Sequence, residues 1–196
     1  MERGAAIHKE AEDFLKGVGK TVPESLKKFS DLAKKIRKLY KKKILGAIVE
    51  DNWSFTKDWG KTQWNNWADC YLRVKLDCAY YEDDSTLNID DWKTGKFRPE
   101  LNEDYVEQLE LYALAALVLF PHVDKVIPRL RYVDGGETYP PIGTCTIYTR
   151  DDIDRLKKVW AKRVKPMMVD KIFAPKPNRW CTTCHFRKSN KGPCKF

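Results

Sequence analysis

Three residues have the types and spacing to do chemistry at one point: Asp77, Asp91 and Lys93. Tyr71–Tyr81 is rich in β-branched and aromatic residues, and Glu82-Asp83-Asp84-Ser85 is turn chemistry. Leu87–Lys93 resumes an extended pattern before Thr94-Gly95 ends it. Asp77 falls late in the first predicted strand. Asp91 and Lys93 fall late in the second, two apart, so both side chains leave one face. A hairpin then brings two carboxylates and an ammonium together. Paired carboxylates suit a hard divalent cation. The ammonium suits an anion or a water beside it. Asp90 points the other way and is second choice as a ligand, while Asp83 and Asp84 read as turn residues.

The elements around this hairpin follow from periodicity. Met1–Gly17 reads as a short amphipathic helix with Ala6, Ala11, Phe14 and Leu15 inward and His8 and Glu12 on one face. A lone helical histidine is by itself a surface residue. Pro23 opens a second helix to about Lys43, with a buried stripe through Leu26, Phe29, Ala33 and Ile36 and a dense lysine and arginine surface that is either a solvated face or one turned to phosphates. Ile44–Phe55 is the first strand, with Ala47, Val49, Asp51 and Trp53 on one side. Trp53, Phe55, Trp59, Trp64 and Trp67 then mark a polar, lysine-bearing stretch. They are either core or, for one or two, platforms for unpaired bases worth about 1–3 kcal/mol each. In the next strand Leu72, Val74, Leu76 and Cys78 oppose Arg73, Lys75 and Asp77. Asp104 caps a nearly all-apolar helix to Phe120 that carries Gln108 and Tyr112 at i and i+4. Strands follow at Lys125–Val133, with Pro128 implying an edge or bulge, and at about Thr138–Thr149. Asp151 or Asp152 caps a basic last helix to about Val169.

Asp77 followed by Asp91-Trp92-Lys93-Thr94-Gly95 resembles the PD-(D/E)XK nuclease core, in particular the RecB-like branch that includes CRISPR-adaptation nucleases. Arg3-Gly4 and His8 resemble that branch's histidine helix, and Gln108 and Tyr112 its glutamine-x-x-x-tyrosine helix. The resemblance implies an α/β, restriction-endonuclease-like fold: an αβββαβ core with a mixed central sheet flanked by helices, extra N-terminal helices and a Cys-containing tail. It implies that His8 ligates the metal with Asp77 and Asp91, that the Trp92 backbone carbonyl adds a contact, and that Glu50 sits where this branch often carries a further carboxylate. Gln108 and Tyr112 would then orient the phosphate or Lys93. The expected activity is Mg2+- or Mn2+-dependent hydrolysis of DNA, as an exonuclease on single-stranded or free ends in replication, recombination, repair or phage DNA metabolism. The alternative is a non-catalytic nucleic-acid-binding accessory protein that keeps the fold.

The 196 residues suit one nuclease domain over 1–173 with a basic tail over 174–196. Thirty-seven Lys and Arg against 28 Asp and Glu favour a polyanionic partner. No apolar run is long enough for a bilayer and no signal peptide is visible, so no membrane role is expected. The expected location is the cytoplasm of a bacterial or phage-infected cell. The tail holds Cys181-x-x-Cys184 and Cys194. In the resembling nucleases a similar tail gives three ligands to a four-iron cluster, with the fourth cysteine ahead of the histidine helix. Here no cysteine precedes His8. Three alternatives stay open: an iron–sulfur cluster completed by Cys70, Cys78 or Cys145, Zn2+ held with His185, or a metal-free tail.

Overall fold

The structure, a computed structural model, describes residues 2–42, 44–98, 102–141, 143–172 and 174–195. The expected helix limits at Met1 and Lys43 and the tail boundary at Phe173 lie outside them. The chain divides into two compact units, Met1–Trp160 and Ala161–Phe196.

The first unit is built on a six-stranded mixed sheet. Its strands are β1 (Ala47–Phe55), β2 (Leu72–Tyr81), β3 (Thr86–Lys93), β4 (Lys125–Tyr132), β5 (Glu137–Tyr139) and β6 (Tyr148–Thr149), in the order β1-β2-β3-β4-β5 with β6 also paired to β4. All neighbours are antiparallel except β3 and β4, which run parallel from Thr86↔Lys125 to Lys93↔Tyr132. A parallel pair needs a crossover, and helix α3 (Asn102–Leu119) supplies it. The expected mixed α/β architecture is present.

Helices cover both faces of the sheet. On one side α1 (Glu2–Lys16) and α2 (Ser30–Tyr40) pack Ile7, Phe14, Leu15 and Ile36 against Val49, Cys78, Tyr80 and Trp92. On the other, Leu109, Leu114 and Leu117 of α3 meet Leu76, Leu87, Ile89 and Leu130. Leu87, Ile89, Leu114, Leu117 and Leu130 are fully buried, each contributing about 1.5–3 kcal/mol relative to exposure. Cover on both faces explains why β3 is buried along nearly its whole length rather than in alternation.

Several local expectations change. The second helix is split: a 3-10 turn over Glu24–Phe29, with Leu26 and Phe29 buried on one face, precedes α2. Its basic face is partly neutralised, with Lys27, Lys34 and Lys35 paired to Glu24, Asp31 and Glu82. The α3 helix begins at Asn102, which places Asp104 in its first turn rather than at the cap. Thr149, not Asp151 or Asp152, caps the 3-10 turn leading into α4 (Ile153–Val169), with Asp152 closing the capping box. The single strand expected over Thr138–Thr149 is two short ones. Pro128 lies on an interior strand, at a position where β5 and β6 leave it unpaired: they pair β4 only at Lys125–Val126 and Leu130–Tyr132. A residue without an N–H is tolerated there.

The two faces also exchange partway along β1 and β2. Val49 and Cys78 join the α1/α2 side, whereas Trp53, Val74 and Leu76 join the α3 side. Ala47 and Val49 therefore do not share a face with Trp53, nor Cys78 with Leu76. The exchange falls at Glu50 and Asp77. Glu50 has φ of +49°, a left-handed backbone that interrupts the pleat.

Candidate active site

The hairpin ladder between β2 and β3 ends at Cys78↔Asp90. One residue further the strands part, and a side chain takes over the pairing: Asp77 Oδ2 accepts the Trp92 backbone N–H at 2.7 Å. Trp92 is anchored from below by burial and by Phe29, ring centroids 6.0 Å apart. Asp77 is thus held at the mouth of the parting strands by main-chain geometry.

Helix α1 crosses this mouth. His8 Nδ1 lies 3.1 Å from Asp77 Oδ1 and 3.9 Å from Glu50 Oε1. His8, Glu50 and Asp77 each offer a donor atom within 4.8 Å of the others, the group of metal-ligand type found among the described residues. The strand register sets Glu50 opposite Asp77, between the Val49–Cys78 and Asp51–Leu76 pairs. The other Glu50 oxygen lies 3.4 Å from Lys75 Nζ.

Asp91 stands beside this group on the wall of the same cleft, a cavity of about 500 Å³ lined also by Gly4, Lys9, Glu12, Lys75 and Tyr112. Its Oδ1 accepts the Tyr112 hydroxyl at 2.6 Å and Gln108 Nε2 at 3.1 Å, and Gln108 Nε2 also donates to the Tyr112 oxygen at 2.9 Å. Lys93 Nζ lies 2.7 Å from Asp91 Oδ2. Asp90 leaves the opposite face, wholly buried, and accepts Arg131 Nε at 2.6 Å. Asp83 is a turn residue, its Oδ1 accepting the N–H groups of Ser85 and Thr86.

These contacts set the local electrostatics. The hydrogen bond to Asp77 raises the His8 imidazole above its ordinary value against an opposing effect of burial. Burial, then the charge of Asp77, raises Glu50. The same two causes raise Asp91, with Lys93 and Tyr112 opposing them. Crowded carboxylates that resist ionisation gain from a cation. With an imidazole among them, the donor set fits a divalent ion, and His8, Glu50 and Asp77 are the residues that would hold it, with Asp91 outside that group of three on the cleft wall.

A clasp that sequence reasoning missed fixes α1 to the sheet. The Arg3 guanidinium grips Asp134 through Nη1 at 3.0 Å and Nη2 at 2.5 Å, and Gly95 N donates to Asp134 Oδ2 at 2.6 Å. Asp134 therefore joins the helix carrying His8 to the turn that follows Lys93. Arg3 and Asp134 are 131 positions apart, so no local pattern could have paired them.

Of the five aromatics in and after β1, Trp53, Phe55 and Trp59 are buried and Trp64 and Trp67 are not. Cys78 is buried, its Sγ donating to the Asp90 carbonyl, and Cys145 lies beside Arg129. In the second unit Cys181 sits in the 3-10 turn Arg179–Thr183, and Cys194 bridges to Arg187. Among the described residues, no metal-ligand group forms around Cys181, Cys184 and Cys194. No described helix is long and apolar enough to cross a membrane.

No curated protein sequence matches the chain. A solved structure described as the crystal structure of SSO0001 aligns over 100% of this chain and 98% of its own, at 16% identity and a TM-score of 0.37, too loose a superposition to bear on the site. The sequence model of the PD-(D/E)XK nuclease superfamily matches residues 1–189. That span takes in α1 with His8, the parting strands with Asp77, Asp91 and Lys93, and α3 with Gln108 and Tyr112. The chain belongs to the PD-(D/E)XK nuclease superfamily.

Proposed function

We propose that this protein is a divalent-metal-dependent deoxyribonuclease of the RecB-like branch, an exonuclease that hydrolyses phosphodiester bonds from single-stranded or free DNA ends. The observation that carries the reading is the meeting of His8, Glu50 and Asp77 within 4.8 Å, with Asp91 on the same cleft wall and Lys93 Nζ 2.7 Å from its Oδ2. The ordered motifs Arg3-Gly4…His8, Asp77, Asp91-Trp92-Lys93-Thr94-Gly95 and Gln108…Tyr112 support the branch. The net charge of +9 supports a polyanionic substrate.

His8, Glu50 and Asp77 would hold Mg2+ or Mn2+, with Asp91 and the Trp92 carbonyl as further contacts. The imidazole favours Mn2+. The bound ion supplies Lewis-acid polarisation of the phosphate and a more acidic water. The chain's own groups do the rest. Lys93 places its ammonium beside Asp91, where it offsets negative charge that builds on the phosphate oxygens during attack. Tyr112 and Gln108 hydrogen-bond Asp91 Oδ1 and fix its rotamer, and the Tyr112 bond opposes the upward push that burial gives this carboxylate. Asp77, tied to Trp92 N, cannot swing away, so the donors are ordered before substrate arrives.

A time course on end-labelled single- and double-stranded DNA with Mg2+, Mn2+ or EDTA tests this. The wild type is expected to degrade single strands from an end only with metal. Lys93→Ala is expected to lose at least about 100-fold in rate while binding DNA within a few-fold of wild type. Binding without cleavage under every condition would instead assign the chain to the non-catalytic accessory class.

A further inference from the structure

The chain between β1 and β2 presents an aromatic surface that the catalytic cluster does not use. Trp67 is 78% exposed, an unfavourable state for an indole without a partner. It is nevertheless held in place. The Arg73 guanidinium lies 4.0 Å from its ring centroid and 5.6 Å from that of Trp64, and Arg73 Nε donates to the Trp64 carbonyl at 2.8 Å. Around it, Trp67 N bonds Asn65 O, Cys70 N bonds Asn66 O, and Asn66 Nδ2 bonds Asp69. One face of the indole rests on a cation and the rest is open. A rigid exposed ring backed by arginine is the arrangement on which unpaired bases stack.

Its position relative to the cleft follows from the strand. Arg73, Lys75 and Asp77 occupy alternate positions of β2, on the side away from Val74 and Leu76, and successive members are about 7 Å apart. Opposite Lys75 on β1 stands the exposed Asn52, while Ser54, facing Arg73, is buried under Thr62, whose carbonyl accepts its hydroxyl. Lys75 lines the same cleft as Asp77 and is highly exposed. Lys75 and Arg73 therefore lead from the metal-type cluster to the base of the Trp67 ring, Arg73 lying about 14 Å from Asp77 along the strand.

We propose that this outer surface of the β1–β2 hairpin is a binding track for an unpaired nucleic-acid strand. Trp67 on Arg73 stacks a base and Lys75 meets a phosphate between that base and the cleft. The polyanion matches the charge of the track, and only an unpaired base offers a free face to the indole. The direction of the track rests on the nuclease reading of the cleft.

Fluorescence anisotropy with a labelled single-stranded oligonucleotide in EDTA, where nothing is degraded, measures the track separately from cleavage. Trp67→Ala is expected to weaken single-strand binding about 5- to 160-fold, and Trp67→Phe to restore most of it. Lys75→Ala is expected to lower the salt dependence by about one phosphate contact. Affinity for a blunt duplex should move less than that for the single strand. Unchanged single-strand binding in Trp67→Ala, or an equal loss on both substrates, overturns the proposal. Should the wild type cleave with metal, Asp77→Asn not cleave, and Trp67→Ala bind as wild type, the track fails and the nuclease reading stands. Should nothing cleave while Trp67 controls single-strand affinity, the track stands and the nuclease reading fails.

Discussion

Replacing Tyr112 with Phe removes one oxygen and leaves the ring packed among Leu109, Ala113 and Leu130. That oxygen is the donor nearest Asp91 Oδ1, at 2.6 Å, and only Gln108 Nε2 at 3.1 Å remains to that atom. A hydrogen bond to a buried charge is worth about 1.5–3 kcal/mol. Asp91 is already raised by burial and by Asp77, and Tyr112 is among the groups that lower it. Losing that help moves its titration further up. The sign is fixed. A carboxyl with a higher pKa protonates earlier as pH falls, so the acid limb of divalent-cation affinity moves upward in pH. Stability falls as well, with a melting temperature lower by about 3–12 °C. Calorimetric titration of Mn2+ at a series of pH values, with a thermal melt at neutral pH, reads both effects. If the acid limb and the melting temperature of Tyr112→Phe match the wild type, the idea that this hydroxyl opposes the upward push of burial on Asp91 is wrong.

Three further outcomes follow from the same geometry. Asp134 is held down to about 2, first by Arg3 and then by Gly95 N. Its contribution is therefore present above the ordinary carboxylate range and disappears as pH falls toward 2. Because the pair is exposed, Asp134→Asn should cost only about 1 kcal/mol, or about 2–4 °C by calorimetry at neutral pH, and nothing near pH 2. In the wild type, Glu50, Asp91 and His8 are all raised, so cation affinity should start to fall at a higher pH than isolated carboxylates would give; competition with a fluorescent chelator across that range checks it. Trp92→Ala empties the site beneath the hairpin mouth and should cost about 3–5 kcal/mol in urea unfolding, with Trp92→Phe much milder.

Much of the site was legible because the residues concerned obey local periods. Asp91 and Lys93 share a face by strand alternation, Asp90 takes the other, and Gln108 and Tyr112 meet by helical spacing; the structure places all five accordingly. The mixed sheet with helices on both sides likewise followed from element order. What alternation could not reveal is where it stops. The left-handed Glu50 and the parting of β2 from β3 at Asp77 exchange the faces of two strands, which is why Val49 and Cys78 fall on the side opposite to that expected. The Arg3–Asp134–Gly95 clasp was invisible for a different reason: its members meet only once the sheet has brought distant segments together. Among the five neighbouring aromatics composition could not separate core from surface, because burial depends on the path of residues 56–71 over the hairpin.

The claim on which the whole account turns is that the residues meeting at the mouth of the hairpin grip a divalent ion. Calorimetric titration of Mn2+ into wild type and Asp77→Asn at mildly alkaline pH tests it most directly. Saturable binding by the wild type, lost in Asp77→Asn while the folded melt is kept, is the predicted result. Equal binding by both proteins, or none by the wild type, would contradict it.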